Sequence, residues 1–264
     1  MFRQITFAAL VLSTAGMLAQ SPAPRPTPDA FEVATIKPVD PNDKAGRYIT
    51  MQGTNRFIEK YYTLKLLIAA AYDLNPQVIS GGPAWIASDH YDIVALTPGE
   101  TQPSRDQQMS MLRTLLAERF KLAFHREQKE FSIYELQVTK NGPKLKPSTA
   151  PPDKAPALIS TVYPQRIVLP ARNATMGEFA SLMQRAILDR PVVDKTGLSA
   201  KYDFDLEWAP DTSQFGGEVP AASADAPSPP FFTAIQQQLG LHLEATRGPI
   251  AALVVDAAER PSAN

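Results

Sequence analysis

The sequence predicts an α+β fold of two related halves, each with two helices and antiparallel strands, and three observations carry that prediction. The first is a self-match without a gap. Leu112–Val138 lies over Phe231–Ala257, with Leu116/Ile235, Phe120/Leu239, Leu122/Leu241, Phe124/Leu243, Phe131/Ile250 and Leu136/Val255 in register. Self-similarity at a fixed spacing marks a repeated supersecondary unit. The second is an upstream echo: Thr63-Leu64 and Tyr91-Asp92-Ile93 recur as Thr175-Met176 and Tyr202-Asp203-Phe204. The third is that strand-like alternation and helix-like spacing are interspersed, as in sheets covered on one side by helices.

Taken in chain order, Phe31–Lys37 alternates as a strand and Pro38 closes it. Arg56–Tyr61 and Arg166–Leu169 read as short strands running into helices. Thr63 and Thr175 are expected N-caps, because a hydroxyl at that place accepts from an unsatisfied N–H of the first turn. Leu64–Tyr72 and Met176–Ile187 carry apolar residues at helical spacing, and Gln107–Phe120 and Phe231–Leu239 are the second helices. Each second helix is expected to be followed by a β-hairpin. Lys121–Arg126 would pair with Phe131–Lys140, and Leu241–Ala245 with Ile250–Asp256, across the connections Glu127–Glu130 and Thr246–Pro249. Tyr202–Trp208 alternates throughout, with Tyr202, Phe204, Leu206 and Trp208 inward and Asp203, Asp205 and Glu207 outward.

The expected organisation is a signal peptide over 1–20, a Pro-rich tether over 21–29 and a single α+β domain over 30–264. Its pseudo-repeats span about 30–142 and 157–264, with a Pro-rich linker at 143–156 and a flexible loop at 209–230. The first residues supply a short positive start (Arg3) and an apolar run, Ile5–Leu18, the layout of an export signal. No transmembrane helix is expected once that signal is removed. The 264 residues contain no cysteine, so thiol catalysis, thiolate metal sites and disulfides are excluded. A formal charge of −1 with dispersed basic residues leaves no electrostatic footprint for nucleic acid.

Catalytic templates fail one by one. Lys195-Thr196-Gly197 resembles a penicillin-recognising motif, yet no serine in the chain has a lysine three positions later. His90, His125 and His242 have no helical zinc spacing. His90 with Asp92 places an imidazole and a carboxylate on one strand face, better read as a solvated face; His125, beside Arg126 and Glu127, reads as an exposed charged edge. The row Asp203, Asp205 and Glu207 lacks a glycine-bearing ligand loop for Ca²⁺. Gly81-Gly82 and Gly197 are expected in tight turns, and Trp85 and Trp208 in the core or a groove. No residue is assigned a catalytic, cofactor-binding or metal role.

An ordered set of short segments does match something known. Phe31–Pro38, Ile79–Trp85, Tyr91–Ile93, Leu115–Leu122, His125–Glu127, Lys140–Leu145, Pro191–Leu198, Tyr202–Phe204, Gln238–Leu241 and Glu259–Pro261 together resemble the soil-associated secreted protein family, a domain of unknown function expanded in acidobacteria. That resemblance implies export, to the periplasm or beyond the cell, and no established activity. The expected function is a non-catalytic binding or assembly module of the bacterial envelope, with an envelope protein, peptide or glycan as partner and no cofactor. The alternative is a secreted hydrolase using paired carboxylates, Asp203 with Asp205 or Glu127 with Glu130.

Overall fold

Thr63 and Thr175 each end a strand and open a helix, and the architecture grows from these two junctions. The computed structural model describes residues 29–40, 46–151, 154–217 and 219–262. The expected signal peptide, and all of the tether but Asp29, lie outside the described residues. The first part of the chain runs β1 (Val33–Pro38), β2 (Tyr48–Gln52), β3 (Arg56–Thr63), α1 (Leu64–Ala71), β4 (Ile79–Gly81), β5 (His90–Leu96), α2 (Arg105–Arg119) and β6 (Ala123–Val138). The second runs β7 (Lys146–Pro147), β8 (Ala157–Leu158), β9 (Thr161–Tyr163), β10 (Arg166–Ala174), α3 (Met176–Leu182), β11 (Val192–Asp194), β12 (Tyr202–Trp208), α4 (Phe231–Ala234) and β13 (Leu241–Ala257). The fold is therefore mixed α+β, with antiparallel and mixed sheets. A wide π turn extends α3 through Met183–Ile187 and another extends α4 through Ile235–Leu239.

Both caps form. Thr63 Oγ1 accepts from Leu66 N at 3.3 Å, and Thr175 Oγ1 accepts from Glu178 N at 3.2 Å while the Glu178 carboxylate takes the Thr175 N–H. Three sheets result, with strand orders β1-β5-β3-β2, β7-β12-β10-β8 (β9 also on β10) and β11-β6-β13-β4. The first two are antiparallel; in the third, the short outer strands run parallel to their neighbours. Part of the expected 143–156 linker is thus an edge strand, β7, laid on β12.

The expected hairpins do not form. β6 and β13 are single continuous strands that pair with each other along their whole length, from Leu241↔Val138 through Val255↔Phe124 and, past a bulge, to Ala257↔Ala123. The physical reason is local and remote at once. Glu127-Gln128-Lys129-Glu130 contains no residue suited to a tight reversal. Gly248 stays outside the left-handed region and faces Ile133, whose Cδ1 would lie 2.9 Å from an added Cβ. With a long partner strand available, each segment stays extended and satisfies its backbone there.

Two apolar clusters sit at opposite ends of this ribbon. One gathers Ile36, Phe57, Leu67, Ile68, Ile93, Leu112, Leu116 and Phe120 with Leu253 and Val255 of β13. The other gathers Ile167, Leu169, Phe179, Phe204, Leu206, Trp208, Phe231 and Ile235 with Leu136 of β6. Each long strand therefore leaves one cluster and completes the other; a fully buried Leu, Ile or Phe contributes about 1.5–3 kcal/mol. Between the clusters, Asn75 Nδ2 donates to the carbonyls of Gln184 (2.6 Å) and Leu188 (3.2 Å), and Gln184 Nε2 returns a bond to the Asp73 carbonyl at 2.6 Å. In the 209–230 loop, Phe215 stacks on Trp208 and Gln214 Oε1 accepts the Trp208 indole N–H at 2.8 Å.

Candidate functional site

The start of β5 and the C-terminal segment meet in a cleft of about 340 Å³, lined by Pro38, Val39, Ser88, Asp89, His90, Tyr91, Arg260 and Pro261. Its walls are set by backbone pairing: Pro38 lies opposite Tyr91, Val39 N donates to the His90 carbonyl at 2.9 Å, and Glu259 N donates to the Phe120 carbonyl at 2.7 Å. Arg260 Nε then reaches Asp89 Oδ2 at 2.9 Å, with its guanidinium 5.1 Å above the Trp85 ring centroid. Trp85 meets Tyr91 edge-on, and Tyr91 meets Phe120 the same way. Burial, reinforced by Asp89, raises the Tyr91 hydroxyl pKa, while Arg260 opposes the rise. The segments Ile79–Trp85, Tyr91–Ile93, Leu115–Leu122 and Glu259–Pro261, far apart in sequence, are here one connected cluster.

His90 does not face Asp92 as a base with its acid. The imidazole stacks on Tyr61 (centroids 4.1 Å apart, 23° between planes). Asp92 is taken by Lys60 Nζ and by the Tyr61 N–H, which donates to Oδ1 at 3.1 Å. Tyr61 sits at a bulge in the β3–β5 ladder with φ 61°, a left-handed conformation for a bulky residue, and the Asp92 carboxylate holds that backbone in place.

The other carboxylates weighed from sequence are likewise tied to nearby partners. Asp203 Oδ1 accepts the Asn173 N–H at 2.8 Å, and that bond, with one from the Ser148 side chain, lowers its pKa. Asp205 pairs with Arg172 at 2.7 Å, and Glu207 with Arg166 at 3.2 Å and with Ser228 Oγ at 2.7 Å. On the ribbon, His125 bridges Glu127 (2.9 Å) and Asp256 (2.7 Å), and Glu127 also meets Lys129. The hydrogen bonds that His125 makes to Glu127 and then to Asp256 raise its pKa. Lys129 and then His125 lower that of Glu127. Glu130 lies opposite Pro249. Among the described residues no three His, Cys, Asp or Glu side chains are placed to hold a metal ion. Gly81 (φ 77°) allows β4 to close on β13, since an added Cβ would meet the Val255 carbonyl oxygen at 2.6 Å. Gly197 lies beyond β11, with open space around it.

One group escaped the sequence reading. Glu59, on the inward face of β3 with Phe57, is fully buried, and neither carboxylate oxygen has a hydrogen-bond partner among the described residues. Ile49 and Ile93 flank it across the sheet. Burial alone pushes its pKa well above the ordinary carboxyl value, because a charge is costly where no water or partner solvates it. The alternation Phe57-x-Glu59 was the available signal.

A family model described as "Protein of unknown function (DUF3738)" matches residues 65–258, and the chain belongs to that family. No curated protein and no solved structure matches it.

Proposed function

We propose that this member of a family of unknown function is an exported, non-catalytic binding or assembly module of the bacterial envelope, with a peptide or glycan ligand seated in the cleft beside β5. The observation that carries the reading is the make-up of that cleft. Its guanidinium and carboxylate, Arg260 and Asp89, neutralise each other, and rings of Tyr61, His90, Trp85 and Tyr91 lie in or around its walls. Such a surface offers stacking and oriented polar contacts. The apolar run Ile5–Leu18 supports export. The alternative hydrolase needs two carboxylates converging on a bond. Asp203 and Asp205 stand on one strand with separate partners, and Glu127 is held by His125 and Lys129, which favours the binding reading.

We also infer that the two halves arose by duplication. Lys37↔Asp92 and Pro38↔Tyr91 in one sheet are matched by Lys146↔Asp203 and Pro147↔Tyr202 in the other. The spacing that separates Thr63 from Thr175 also relates Tyr61 to Asn173, both left-handed, each at a bulge and each donating its N–H to the Asp of a Tyr-Asp pair. In the ribbon, Glu130 pairs with Pro249, its own counterpart in the self-match, as expected at a local two-fold axis. At the matching spacing Glu59 corresponds to buried Ala171, so the buried acid belongs to one half alone.

The test is direct binding of purified protein to peptidoglycan fragments and envelope peptides. Saturable binding that is lost on Arg260→Ala and kept on Asp203→Ala with Asp205→Ala supports the module. Turnover of a fragment that disappears with Asp203→Ala or Asp205→Ala would favour the hydrolase.

A further inference from the structure

We propose that the junction between the two halves carries a second site, an oxyanion site built on Arg105 and Arg185 that takes a small ligand bearing a carboxylate or phosphate. Asp73, just past the end of α1 and left-handed at φ 51°, presents one oxygen to both arginines: Oδ1 lies 3.3 Å from Arg105 Nη2 and 3.4 Å from Arg185 Nε. Two guanidiniums on one carboxylate leave a surplus positive charge. The Arg185 Nε is buried without a hydrogen bond, and no other atom of that guanidinium is hydrogen-bonded among the described residues. The side chain as a whole is still about one-fifth exposed (21%).

A purely structural role for the pair fits poorly. The carbonyls at the end of α1 already have donors. Ile68 is served by Tyr72 N, Ala69 by Leu74 N, Ala71 by Arg113 Nη1 at 2.6 Å and Asp73 by Gln184 Nε2. Arg105 is moreover the first residue of α2, where the helix dipole disfavours a cation. Arg185 has its pKa lowered to about 10, first by burial and next by the charge of Arg105, so the two guanidiniums repel. An anion between them relieves both the repulsion and the missing bonds, and guanidinium forks match carboxylate and phosphate oxygens. The location adds to this. Asp73 and Arg185 are counterparts at the Thr63–Thr175 spacing, so the junction lies where the halves face each other, a frequent place for ligands. This last point alone rests on the duplication.

The experiment titrates the full chain with inorganic phosphate and, separately, acetate, each against chloride at equal ionic strength, by calorimetry and by thermal unfolding. Saturable binding of one anion is expected, with a raised melting temperature. Arg105→Gln, at an exposed position that does not threaten folding, should weaken it tenfold or more. Arg185→Lys, which keeps the charge and loses the fork, should weaken it as well. Arg166→Gln, which removes a cation elsewhere, should change nothing. Preference for phosphate or acetate identifies the source of the oxyanion. No binding beyond chloride, or binding indifferent to Arg105→Gln and Arg185→Lys, overturns the proposal. Neither result bears on the cleft, whose ligand is read through Arg260→Ala.

Discussion

Glu59 is a fully buried carboxyl with no hydrogen-bond partner among the described residues. Its folded-state pKa lies above the ordinary value of 4.5 because burial penalises the charged form. Its contribution is therefore fully present below that ordinary value, and stability falls as pH rises from there through the raised folded value. Glu59→Leu is expected to flatten this slope and to raise stability near pH 7 by about 1–3 kcal/mol, the cost of an unsatisfied buried polar group. Urea unfolding of both proteins between acid and mildly alkaline pH reads the difference, and parallel pH curves would refute it. Gly81 gives a second residue-level expectation. Gly81→Ala forces a side chain into φ 77° and against the Val255 carbonyl, at a cost of at least about 1–3 kcal/mol from the backbone alone. A midpoint in urea unchanged from wild type would be inconsistent with that contact.

At the scale of elements, what was legible in the sequence was whatever local chemistry decides. Thr63 and Thr175 act as caps because a hydroxyl oxygen there accepts from an otherwise unsatisfied N–H of the first turn. Tyr202–Trp208 buries its four apolar residues because a strand alternates. The hairpins were misread because a strand's partner is a tertiary choice. Arg247-Gly248-Pro249 has the residues of a turn, yet it lies paired in the middle of β13. The convergence of Arg105 and Arg185 on Asp73 was illegible for the same reason, and so was Arg260 reaching Asp89 from the far end of the chain. In the continuous ribbon, amides around Glu127–Glu130 are expected to exchange as slowly as those of a paired strand. Hydrogen exchange as fast as in an open loop would point back to hairpins.

For the whole molecule the decisive feature is that each long strand completes the cluster it runs into. Leu253 and Val255 belong to the cluster of Ile36 and Phe57, and Leu136 to that of Phe204 and Trp208. The two clusters are therefore expected to unfold together, and Leu253→Ala, at a position fully buried, should cost about 2–5 kcal/mol and lower one common transition. Two separated transitions in calorimetry would contradict that coupling. The same closure carries Arg260 to the cleft, because Glu259 is pinned to Phe120 only after β13 has crossed the molecule. Ligand binding at the cleft, as proposed, would thereby depend on the complete fold. The most direct measurement is a titration with peptidoglycan fragments followed by the fluorescence of Trp85, which borders the cleft, while Trp208 stays buried. Saturable shielding of Trp85 from acrylamide, abolished by Arg260→Ala and without fragment turnover, is the predicted result. Cleavage of the fragments, or shielding that survives Arg260→Ala, would contradict a binding module seated at this cleft.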